Sequence, residues 1–301
     1  MPLCCYFFSI PGHRNPAWPP ALSLPLRSSH KPHLGLPQRA LYAVIETITR
    51  LAPHAALMLR FFALPFTDAF TALERGVGRH GAPALVAIAA ACLASWWVYV
   101  PIHELMHAWG AQLGGATVTR LDIAEGYGGS FLQRFFPYVH VGSDYAGQLS
   151  GFDTHGSDVA YLLTVFFPYV LTIAIGIPIV IYVARAPVVS IGALLLFGAA
   201  LPVAWAPLLS VTGDFYELGS ILTSRIAYSV LGVDGTSWRG DDLVRIARPI
   251  IDSAQLRGAD VAGVMVSFVL GVLLAFTTCG IGHMLAVVTH IRDGEARSRP
   301  R

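Results

Sequence analysis

Along most of this chain, polar residues interrupt long apolar runs instead of alternating with apolar ones. Four such runs stand out, at about 82–113, 159–184, 188–211 and 261–288. Each is longer than the roughly 20 residues a helix needs to cross a bilayer, so the pattern predicts four transmembrane helices. The first would be about 48 Å long if continuous, against about 30 Å of hydrocarbon, so part of it must tilt, kink or emerge. Pro101 is the obvious place for a kink. Between 41 and 73, apolar residues recur at helical spacing but are broken by Arg50, His54, Arg60 and Asp68. This predicts one or two amphipathic helices that lie on the membrane or pack on the core. The region 212–260 is expected to be a loop with a helical stretch at about 241–256.

The ends of the chain have a different character. Residues 1–40 are rich in Pro, Ser, Arg and His without a period, and are expected to be a disordered extension. A signal peptide is not expected, because the first residues lack a positive segment and Pro11 interrupts their short apolar run. The expected organisation is therefore an extension at 1–40, amphipathic or interfacial helices at 41–81, a membrane core at 82–292 and a polar tail at 293–301. The fold class is an all-α polytopic bundle of about four transmembrane helices.

Composition agrees with this reading. The 301 residues are 54% hydrophobic and only 13% charged, with a mean hydropathy of +0.59. That is too apolar for an ordinary soluble domain. The net charge is +2, Lys31 is the only lysine and no basic run forms a phosphate-binding stripe, so no nucleic-acid partner is expected. Basic residues are distributed so that the termini would be cytoplasmic by the positive-inside rule. Cys4, Cys5, Cys92 and Cys279 show no CxxC spacing, which gives neither a thiolate metal site nor a disulfide framework.

The chemistry sits near the end of the first run, in His103-Glu104-Leu105-Met106-His107. Residues four apart on a helix share a face, so both imidazoles can reach one cation while Glu104 flanks it. The same pair could instead be hydrogen-bonded core imidazoles with Glu104 as their partner. Burying them beside a membrane-length segment is costly, however, and such groups are functional candidates by default. Topology supplies a further candidate ligand. The end of the third span, beside Gly213-Asp214, lies at the same membrane face as His103 and His107, so Asp214 could complete a three-ligand zinc site with an open fourth position. Glu217 is an alternative third ligand. His283, inside the fourth span, is a second-shell partner, an alternative ligand or a hydrogen-bonded bundle histidine.

These motifs resemble those of the site-2 protease family of intramembrane zinc metalloproteases. The likeness is carried by His103 through His107 with the following Ala108-Trp109-Gly110 and Gly114-Gly115, and by the segment from Pro207 to Asp214; it covers residues 85–225. It implies short strands after the first motif, for which 116–123 and 138–141 are the counterparts and would form a β-hairpin. The chain departs from the family pattern where Asp214 is followed by Phe215 instead of Gly. It also lacks the family's asparagine between the motifs, since Asn15 is the only Asn. Another donor must then serve a developing oxyanion, the candidates being His140, Gln148 and His155.

The expected function is an integral, multi-pass zinc metallo-endopeptidase of the cell membrane, with Glu104 as catalytic base and His103, His107 and Asp214 as metal ligands. Its partners would be the lipid bilayer and a membrane-protein substrate, cut in or near a transmembrane segment and held by pairing at a sheet edge. The rival expectation is a non-catalytic membrane protein of the same fold, a scaffold, regulator or transporter, with a vestigial or structural metal site.

Overall fold

The computed structural model describes residues 58, 60–143, 145–252 and 257–298. The expected extension at 1–40 lies outside the described residues. Helix α1 covers 60–80 and ends at Gly81, whose φ of 63° lets the chain reverse into α2, Ala82–Leu113. The α2 helix continues through Pro101 without a break. Among the described residues it is one of three helices long and apolar enough to cross a membrane, with Ile191–Leu231 and Gly258–Thr289.

Helix α1 packs on the bundle. Its Ala69 and Ala72 are buried with Ile88, Ile181 and Leu194, and the Arg75 guanidinium donates to the carbonyls of Ala184, Ala186 and Pro187. Those carbonyls lie at a helix end where no intrahelical donor remains.

After α2 comes a three-stranded sheet in the order β2-β1-β3, formed by β1 (Thr117–Ile123), β2 (Val139–Val141) and β3 (Gly147–Asp153). The two segments expected to form a β-hairpin do not: they pair in parallel, Leu121 opposite Val139, and the short helix α3, Gly129–Leu132, lies in the crossover between them. The antiparallel partner of β1 is β3. Leu121, Ile123 and Val139 are fully buried against Leu105 and Ala108, so the sheet is clamped to the turn of α2 that carries the histidine motif.

The second apolar run is broken. Helix α4, Asp158–Phe166, is capped by Ser157, whose side chain accepts from Ala160 N. It bends by 51° into Tyr169–Arg185, which comprises α5 (Tyr169–Leu171), a π turn and α6 (Ile177–Arg185). Pro168 at the break cannot donate to the preceding turn.

Helix α7, Ile191–Leu209, follows, and a break at 210–213 leads to α8, Asp214–Ile226, where a loop was expected. Gly219 of α8 lies against the α10 backbone. A β-carbon there would meet the Ser267 carbonyl, and one at Gly271 would meet the Phe215 carbonyl. Small residues let these two helices approach closely. The chain ends in α9, Leu243–Asp252, and α10, Gly258–Ser298, which continues into the region expected to be a polar tail.

Candidate metal centre

Helix α2 presents His103 and His107 one turn apart, and Asp214 reaches them from the first residue of α8. His103 Nε2 lies 3.1 Å from His107 Nε2 and 3.2 Å from Asp214 Oδ2, and the third side of the triangle is 3.5 Å. Four ligands placed tetrahedrally at about 2.0–2.1 Å from zinc lie roughly 3.3 Å from one another, so this triangle fits such an ion with a fourth position left over. Among the described residues these three are the one group so arranged.

Neighbouring groups orient each donor. His107 Nδ1–H donates to the Thr164 carbonyl at 2.9 Å, which leaves the Nε2 lone pair facing the other donors. The Tyr99 hydroxyl lies 2.9 Å from His103 Nδ1, one turn earlier on the same face of α2. Tyr169 donates its hydroxyl proton to Asp214 Oδ2 at 2.5 Å, and its ring stands edge-on to His103. Asp214 N donates to Ser210 Oγ across the α7–α8 break. This arrangement, ring nitrogens held by carbonyl, hydroxyl and carboxylate partners, is how metal-ligating imidazoles are usually fixed.

Glu104 stands where two cavities meet. A cleft of about 590 Å³ is bordered by Glu104, His107, Asp214 and Glu217, and a chamber of about 330 Å³ by Glu104, His103 and part of α7. Tyr145 and Gly147 border both. The absence of a side chain at Gly147 matters, because a β-carbon there would lie 2.5 Å from Glu104 Cγ. Gly147, Gln148 and Leu149 in β3 border the cleft, and among the described residues β3 pairs only with β1.

The remaining candidates divide clearly. Glu217 is outside the donor group; it forms part of the cleft wall and accepts from the Tyr161 hydroxyl at 2.5 Å. His283 pairs with Asp68 of α1 at 3.2 Å. Of the expected oxyanion donors, Gln148 borders the cleft. His155 instead contacts Asp153 and Thr117, and His140 pairs with Asp122 in the β1–β2 register. Tyr99 was open to discovery from its helical spacing to His103. Thr164 and Tyr169 carried no such signal, since only the packing of α4 on α2 and the bend after α4 bring Thr164 and Tyr169, respectively, to the site.

No protein-family model, curated protein or solved structure matches this chain. The arrangement itself can hold a divalent cation through two imidazoles and a carboxylate, with a second carboxylate close by and open space on either side of it.

Proposed function

We propose that the protein is an intramembrane zinc metallo-endopeptidase that cuts a substrate protein in or near a transmembrane segment. The observation that carries this reading is the donor triangle of His103, His107 and Asp214 with Glu104 beside it at the junction of two cavities. Zinc bound there would polarise a peptide carbonyl and make a water nucleophilic near neutral pH. Glu104 takes the proton from that water and delivers it to the leaving amine. The free edge of β3 pairs with the substrate backbone in extended form, and Gln148 supplies a neutral donor toward the developing oxyanion. In this reading the bent pair Asp158–Phe166 and Tyr169–Arg185 counts as one span, which gives four, and the resemblance to site-2 proteases supports the choice of His103, His107 and Asp214 as ligands.

The test uses the full chain, purified with zinc in detergent micelles and mixed with a randomised peptide library. The wild type generates new peptide termini, while Glu104→Gln keeps its zinc and loses about a hundredfold or more in rate, the usual worth of a positioned base. A wild type that holds stoichiometric zinc and cuts nothing would return the protein to the rival class, a scaffold, regulator or transporter with a structural metal.

A further inference from the structure

The two cavities that meet at Glu104 differ in chemistry. Beside the metal group the cleft presents Glu217, Asp241 and Asp242. The smaller chamber is walled instead by Trp96, Tyr99 and Val100 from α2 and by Pro202, Ala206 and Leu209 from α7. Glu104, Tyr145 and Gly147 belong to both walls, so the chamber adjoins the proposed catalytic cleft. A polypeptide with its scissile carbonyl beside Glu104 therefore places the residues on either side of that bond in different surroundings.

On the hydrolase reading above, we infer that the chamber is a side-chain subsite for one apolar residue flanking the scissile bond, with Ala206 setting its depth. Its volume of about 330 Å³ admits a large aliphatic or aromatic side chain. Apart from Glu104 and His103, which face the reacting bond, its walls carry no charged side chain, so a charged residue of the substrate would be buried there without a partner. Ala206 is 6% exposed, and a larger residue there removes space from the chamber. Leu209 is 62% exposed at the surface end of the same helix, where a substitution alters the chamber without opening the packed core. Transfer of one Leu or Phe side chain from water into such a site is worth about ten- to a hundredfold in rate.

The full chain with zinc in micelles is given a randomised peptide library, and mass spectrometry reads the residues on each side of every cut. The expected result is enrichment of Leu, Ile, Met and Phe over Gly and Asp by about tenfold or more at one flanking position. Ala206→Leu should move that preference toward Ala and Gly and leave the other flanking position unchanged. Leu209→Trp, at the exposed rim, should act in the same direction and covers the case in which Ala206→Leu does not fold. A flat distribution for the wild type, or a preference that neither folded variant alters, overturns the subsite while leaving the hydrolase reading in place. No cuts above the Glu104→Gln background would remove that reading and the subsite with it.

Discussion

At the scale of single residues, the ligand motif was legible because it is local. His103 and His107 lie one turn apart on any helix, and Glu104 follows from the same spacing. Asp214 was legible at one remove, from the parity of membrane crossings. The groups that orient these side chains were not, and they make the sharpest tests. Tyr169 donates to Asp214 Oδ2 and is fully buried. Tyr169→Phe removes the hydroxyl and keeps the ring, and zinc affinity measured by competition with a chelator dye should fall about 10- to 100-fold. Unchanged affinity would mean that Asp214 needs no such partner. Gly147 makes a different prediction. Gly147→Ala places a methyl group against Glu104 Cγ, so it should lower the cleavage rate while zinc content stays at the wild-type level. Loss of zinc in this variant would show that the sheet supports the ligands and not the base.

Among elements, the outcome depended on how each helix is buried. The predicted first span coincides with α2 at both ends, because Gly81 and Gly114 punctuate a run apolar on all sides. The α8 helix was hidden for a different reason: Asp214, Glu217 and Arg225 interrupt its apolar residues, and its close contact with α10 depends on the absence of side chains at Gly219 and Gly271. A hydropathy pattern registers apolar bulk, and bulk is what this contact excludes. The parallel pairing of β1 and β2 was equally hidden, since it requires a crossover that two short segments do not announce. Gly219→Ala should therefore cost about 1–3 kcal/mol in thermal or denaturant unfolding in micelles, the usual range for overpacking. Gly78, in α1, has open space around its missing side chain, and Gly78→Ala should be neutral or stabilising by up to about 1 kcal/mol. Equal effects at the two positions would show that α8 and α10 have room to separate.

For the molecule as a whole, the donor triangle joins segments that are far apart in the chain. His103 and Asp214 are separated by 111 positions, and the groups that orient the donors add α4 and α5 to α2 and α8. A cation held there would thus be a staple across the bundle as well as the reactive centre of the proposed hydrolase. Two histidine nitrogens 3.1 Å apart beside a carboxylate are poorly satisfied by one another alone, because at most one proton can lie between the two nitrogens. On the proposed reading zinc would bind the folded arrangement and not the separated helices, so it should stabilise the fold by mass action, by about 2.7 kcal/mol when free zinc is a hundred times its dissociation constant. Chelation should lower the unfolding midpoint of the wild type, and readdition of zinc should restore it. Asp214→Ala should weaken or abolish that dependence, whereas Asp68→Asn, at the separate pair with His283 between α1 and α10, should leave it intact. If chelation leaves the wild-type midpoint unchanged while zinc content falls to zero, the triangle closes without a cation, and the two imidazoles and the carboxylate are held by hydrogen bonds and by the packing of α4 against both α2 and α8.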